Sequence, residues 1–232
     1  MTVLAIEAGE ATRFHLNGAE LIAHVSGAVW WPTAGTLAVA DLHFEKGSAF
    51  AERGRMLPPY DSAVTLDRLA ALMARFHPRR VICLGDSFHD GRAGDRLPAP
   101  LGERLASLAR AADWIWIQGN HDPAPPESWG GRVLEAFAEG PLQFRHEAQE
   151  RQAVGEISGH FHPKAGITWR GRRVTGRCFV EDGRRLILPA FGAYAGGLDA
   201  RDSAIAGLFP KGYRVHIVGR EKLHSFRGDA LD

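Results

Sequence analysis

The sequence predicts an α/β protein in which two stacked, mixed β-sheets are flanked by helices, read as one domain over residues 1–232. Three observations predict it. Between about residues 36 and 122, short β-branched runs alternate with amphipathic helical patterns, which is how a βαβαβ unit with parallel pairing reads. From about residue 141 onward, strand-like pieces follow one another with turn signals between them, giving more strand than one doubly wound sheet would take. The chain of 232 residues is 45% hydrophobic and 24% charged, an ordinary globular composition with enough length for a sizeable core.

The elements follow in order. The stretch "AELIAHVSGAVWWP" (19–32) reads as strand. "TLAVADLH" (36–43) is a buried strand running into Asp41 and His43. "DSAVTLDRLAALMARF" (61–76) is a helix with Asp61 or Ser62 as N-cap and a stripe of Val64, Leu66, Leu69, Leu72, Met73 and Phe76. "RRVICLGDSFHD" (79–90) is a second strand, broken at Gly85. "LGERLASLARAA" (101–112) is a shorter helix, and "DWIWIQGNHD" (113–122) a third strand, broken at Gly119. Beyond the Pro-rich stretch 122–131, strands are expected in "LQFRHE", "AVGEISGH", "GITWRG", "RRVTGRCFV", "RLILPAFGAY" and "YRVHIVG", with Asp182-Gly183 as a hairpin turn.

Composition narrows the function. No apolar run approaches the ~20 residues that span a bilayer, and "MTVLAIEAGE" lacks a basic signal-peptide start, so a cytoplasmic protein with no membrane partner is expected. Cys83 and Cys178 form neither a disulfide framework nor a zinc-ligand spacing. Net charge is +1, not the strongly basic balance of a protein that holds nucleic acid by charge alone, so any such attraction has to be local.

Polar clusters stand where these strands end: Asp41-Leu-His43, Gly85-Asp86, and Gly119-Asn120-His121-Asp122. His146 follows a further strand, and His160 and His162 close "ISGHFHP". Ligand sites in parallel sheets lie beyond the carboxyl ends of strands, so clusters far apart in sequence converge. In an extended segment, residues i and i+2 face the same side, which would aim His160 and His162 together. Imidazole, carboxylate and amide oxygen without cysteine suit divalent Mn²⁺, Fe²⁺ or Zn²⁺, and the donors are too many for one ion. Two such ions sit ~3.5–4 Å apart and share a hydroxide that attacks phosphorus in line. Two dications less Asp41, Asp86 and a hydroxide leave a charge of about +1, suited to an anionic diester.

The order D-x-H, G-D, G-N-H-D, a lone His, then G-H-x-H resembles the calcineurin-like metallophosphoesterase superfamily. "ADLHFEKGSAF", "RGRMLPPYDS", "RRVICLGDSFHD" and "LILPAFGAYAGGLD" are similar to the bacterial ligase-associated DNA-damage-response endonucleases. The resemblance implies a four-layer αββα sandwich. It implies one metal held by Asp41, His43 and His162, with Asp86 bridging to a second that Asn120, His146 and His160 complete. His89 competes with His146 for its place. His121 would stabilise the phosphorane or protonate the leaving oxygen, oriented by Asp122. Mn²⁺ is the first choice of ion. DNA would be the substrate, in a repair setting alongside an ATP-dependent ligase, a helicase and an exonuclease.

His89 and Lys46 are candidate substrate contacts, and Arg53, Arg55, Arg170, Arg172 and Arg173 candidate backbone contacts. Trp114 and Trp116 read as core, Trp30 and Trp31 as partly exposed, and Phe191 and Tyr194 as lining either the mouth of the site or a tight turn. The same centre also serves a phosphodiesterase or phosphatase for a small nucleotide. A non-catalytic protein-binding scaffold is a third reading, which the intact donor set disfavours.

Overall fold

The computed structural model describes residues 9–121, 127–149, 153–169 and 171–232. The first sheet holds β1 (Ala11–Leu16), β2 (Ala19–His24), β3 (Val29–Trp31), β4 (Thr36–Val39), β5 (Arg80–Leu84), β6 (Asp113–Ile117) and β7 (Arg132–Leu134), paired in chain order. Pairing is antiparallel from β1 to β4 and parallel from β4 to β7. Helices α1 (Lys46–Glu52) and α2 (Asp61–Phe76) connect β4 to β5; α3 (Ala93–Arg96) and α4 (Ala99–Arg110) connect β5 to β6. The second half supplies β8 (Ala136–Glu139), β9 (Leu142–Arg145), β10 (Glu156–Ser158), β11 (Lys164–Trp169), β12 (Arg172–Glu181), β13 (Arg185–Ile187), the short helix α5 (Ser203–Ala206), β14 (Arg214–Val218) and β15 (Leu223–Arg227). Their order across the sheet is β15-β14-β12-β13-β10-β9-β8, with β11 paired to β12 alone.

Side-chain alternation produces the layers. Leu37, Val39, Val81, Cys83, Trp114 and Trp116 face α2 and α4, where Leu66, Leu69, Leu72, Phe76 and Leu105 meet them. The intervening Ala38, Ile82, Leu84, Ile115 and Ile117 face the second sheet and pack on Phe144, Ile157, Phe179 and Leu186. Both faces of β4–β6 are therefore covered, which is why these strands read as continuous apolar runs. Outside the second sheet, Cys178, Val180, Ile187, Val215 and Ile217 pack on Ile205 and Phe209, so the fourth layer is one turn of helix plus loop.

Several local expectations change. Neither Asp61 nor Ser62 caps α2, whose N-cap is Tyr60 without a side-chain bond. Both are buried and bind the segment that enters α1. Asp61 accepts from Gly47 N at 2.8 Å, and Ser62 Oγ donates to Glu45 Oε1 at 2.8 Å while accepting from Glu45 N at 2.9 Å. Ser62→Ala removes both bonds to a buried Glu45 and is expected to lower stability by about 2 kcal/mol in urea melts. A change below about 0.5 kcal/mol would mean that water replaces the hydroxyl. Val64 is 44% exposed and lies off the stripe. Trp30 and Trp31 are buried at 7% each, because β3 is an inner strand of the first sheet. "AVGEISGH" contributes only Glu156–Ser158 as strand. "RLILPAFGAY" contributes only Arg185–Ile187, because the chain then crosses to the first sheet, where Ala190 bridges Ala40 and Phe191 N donates to Ala40 O at 2.8 Å. Phe191 is fully buried and sits 4.7 Å beneath the Arg68 guanidinium, so it lines no opening. Tyr194 instead donates to Pro58 O at 2.9 Å.

Candidate metal centre

The polar clusters all follow carboxyl ends of parallel strands: Asp41 and His43 after β4, Asp86 after β5, Asn120 and His121 after β6, His146 after β9, and His160 and His162 after β10. Of the eight non-glycine residues with positive φ among the described residues, five are Asp41, His43, Asp86, His160 and His162, with φ between 45° and 70°. Each such turn costs roughly 1–3 kcal/mol in a non-glycine residue, a cost the surrounding packing must sustain. The left-handed turns also revise the expectation for His160 and His162. β10 ends at Ser158, so the pair does not sit in an extended strand with one shared face.

Two groups of donors result: Asp41, His43 and His162 in one, Asp86, His146 and His160 in the other, each with its ligand atoms mutually within 4.8 Å. In the first, His43 Nε2 and His162 Nε2 lie 3.2 Å apart, and His162 Nε2 is 3.4 Å from Asp41 Oδ1. Burial, reinforced by the neighbouring His162, pushes the His43 pKa down to about 2, so its imidazole stays neutral and able to donate an electron pair.

In the second, His146 Nδ1 lies 2.9 Å from Leu84 O. A carbonyl only accepts, so Nδ1 carries the proton and Nε2 presents its lone pair. That lone pair faces Asn120 Oδ1 at 2.8 Å and Asp86 Oδ1 at 3.5 Å, while His160 Nδ1 stands 3.0 Å from the same Asn120 oxygen. Electron-pair donors thus converge with few protons among them, an arrangement that a cation satisfies. Burial also lowers the His160 pKa, with His146 adding to the effect.

Glycines let these rings approach the backbone. A Cβ at Gly85 would lie under 3.0 Å from the His146 ring, and one at Gly159 would sit 2.6 Å from Asp41 Oδ2. The Gly159–His160 turn wraps the Asp41 carboxylate, which accepts from His160 N at 3.0 Å.

His121 stands beside both groups and belongs to neither. Its backbone N donates to Asp86 Oδ1 at 2.9 Å, while its ring is 46% exposed and stacks on His89 at 5.7 Å. His89 is also 5.9 Å from the His43 ring, and neither donor group includes it; His146 occupies the place for which the two competed. Lys46 lies close enough for Asp41 and Asp86 to act on its charge, but burial dominates and lowers its pKa. Among the described residues it forms no ion pair with Glu45, which is committed to Ser62. Asp122 and Arg170 lie outside the described residues. Sequence reasoning missed Glu147, whose carboxylate is 3.7 Å from His160 Nε2; its position directly after His146 was the available signal.

Among solved structures, the chain is similar to the Pseudomonas putida nuclease MPE, at 29% identity over 92% of this chain and 100% of that one, with a TM-score of 0.71. YfcE, a phosphoesterase from E. coli, is 13% identical over 85% of this chain and 99% of that one, with a TM-score of 0.42. No curated protein matches. The calcineurin-like phosphoesterase family model matches residues 36–188, well over half of the chain, and that span contains every donor of both groups. On that match the chain belongs to the calcineurin-like phosphoesterases, as a metal-dependent phosphoesterase.

Proposed function

We propose that the chain is a dinuclear-metal phosphodiesterase that cuts DNA as an endonuclease, in a repair setting alongside an ATP-dependent ligase, a helicase and an exonuclease. The observation that carries this reading is the pair of three-donor groups standing side by side, with Asn120 Oδ1 against His146 and His121 N bonded to Asp86. Similarity to a nuclease along nearly the whole chain supports DNA as the diester.

In this reading Asp41, His43 and His162 would hold one ion and Asn120, His146 and His160 the other, with Asp86 shared between them. Mn²⁺ is the first choice, with Fe²⁺ or Zn²⁺ as alternatives. The ions supply charge for the non-bridging phosphate oxygens and bring water toward neutral pKa. Leu84 O fixes the His146 tautomer, and the buried carboxylates of Asp41 and Asp86 would balance the metal charge. His121, exposed and held by Asp86 through its backbone, would protonate the leaving oxygen or stabilise charge on phosphorus. Asp122 would orient it. His89 and Lys46 border the centre where flanking phosphate oxygens would sit.

His121→Gln is expected to lower diester hydrolysis by roughly 10²–10⁴-fold while leaving the metal content unchanged. Loss of metal together with activity would reassign His121 as a ligand. The function itself is tested by Mn²⁺-dependent nicking of supercoiled plasmid, with Asp86→Asn purified identically to expose a contaminating nuclease. Nicking by the wild type alone supports the reading. Hydrolysis of bis(p-nitrophenyl) phosphate without nicking would sink the DNA assignment and favour a small nucleotide as substrate.

A further inference from the structure

A cleft of about 790 Å³ opens at the other end of the sandwich from the metal centre. Its place follows from topology. The Asp182–Arg184 turn precedes β13, which runs parallel to β10, so this turn lies at the amino ends of those strands. The metal ligands follow the carboxyl ends. Gly155 N donates to Arg184 O, and the strand from there to Ser158 spans about 10 Å.

Five cations line the cleft: Arg13, Arg184, Lys211, Arg214 and Arg227. Three acids share the wall, but two of them are committed to the backbone. Glu181 accepts from Gly183 N, and Asp182 accepts from the N–H groups of Arg184 and Arg185. Asp229 pairs with Arg227, with both side chains mostly exposed, so that pair is weak and screened. Arg184, Lys211 and Arg214 are exposed and form no ion pair among the described residues. Arg13 pairs with Glu20 at 2.9 Å, also largely exposed, so on a chain of net charge +1 three of the five cleft cations, Arg184, Lys211 and Arg214, stand without an ion pair among the described residues. Phe14 and Tyr213 add apolar surface beside them.

We propose that this cleft is a second anion site, which binds phosphates of the DNA strand remote from the cut. The inference rests on the DNA reading given above. Contacts of this kind carry no sequence information and add affinity that falls steeply with salt.

The test compares the metal-loaded wild type with Arg184→Ala/Lys211→Ala/Arg214→Ala, and with Lys211→Glu alone as a single change in an irregular turn. The expected result is a KM for single-stranded DNA raised about tenfold in the triple variant, and a log–log salt slope flatter by about 2, at ~0.7 per lost contact. kcat and KM for bis(p-nitrophenyl) phosphate should stay within twofold of the wild type. Unchanged DNA KM and salt slope in both variants overturn the proposal. Calorimetric titration with ATP separates the sources of phosphate: ATP binding lost in the triple variant, with the DNA KM unchanged, would overturn the DNA assignment in favour of a free nucleotide. If the wild type hydrolyses the small diester but leaves DNA intact, the nuclease reading fails. Anisotropy of uncleaved labelled DNA with the same proteins then reads the cleft on its own, and equal binding by the wild type and the triple variant would overturn it.

Discussion

Asp86→Asn is expected to reduce Mn²⁺-dependent diester hydrolysis by about 10³-fold or more, because a bound metal contributes several kcal/mol to stabilising the transition state. Asp86 is 2% exposed and combines two tasks: its carboxylate faces His146 Nε2 and also accepts from His121 N. Asparagine keeps an oxygen for the His121 N–H and removes the charge, so the loss should fall on metal binding and not on the fold. Thermal unfolding separates these effects. Mn²⁺ should raise the wild-type Tm; a hundredfold weaker site loses about 2.7 kcal/mol of that gain, worth roughly 5–10 °C in a chain of this size. The metal-free Tm should be unchanged or higher, since a buried anion beside other electron-pair donors has gone. Activity within twofold of the wild type, together with an unchanged Mn²⁺-induced rise in Tm, would remove Asp86 from the ligand set.

Gly85→Ala is expected to be a strongly damaging single-methyl change at the centre. Gly85 has φ +76°, and the added Cβ would press into the His146 ring while that ring is tied to Leu84 O. The left-handed backbone costs roughly 1–3 kcal/mol for alanine, and crowding a packed ring costs a similar amount, together about 2–6 kcal/mol. His146 cannot tilt away without turning its lone pair from Asn120 and Asp86. Hydrolysis should therefore fall further than the loss of folded protein explains. Gly91, where an added Cβ meets nothing within 4 Å, serves as the control, and Gly91→Ala should leave both quantities near wild type. A Gly85→Ala protein with wild-type activity would show that His146 does not need its position.

The elements and the donors were legible for different reasons. β4, β5 and β6 carry apolar residues on both faces, so they stood out as runs, and each is followed at once by its polar cluster. β10, β13 and the segment after Ile187 were blurred, because one apolar run, "RLILPAFGAY", leaves the second sheet and bridges to the first at Ala40. An apolar stretch reports burial and does not report which sheet buries it. Asp61 and Ser62 looked like helix caps because a capping side chain and a side chain bonding a distant loop are chemically the same residue. Trp30 and Trp31 read as partly exposed, and are buried because β3 pairs with β2 on one side and β4 on the other.

The sequence by itself determined the chemistry of the donors, their order along the chain, and their attachment to strand ends, since residue type and local periodicity are enough for these. The division of the donors was implied by the family resemblance and not by local pattern, and tertiary structure alone decided the geometry that produces it. His160 and His162, two residues apart, turn through left-handed backbone toward different groups, while Asp41 and His162, more than a hundred residues apart, meet at 3.4 Å. Turn handedness and the approach of one strand end to another depend on contacts between distant segments, and local sequence pattern carries no record of them.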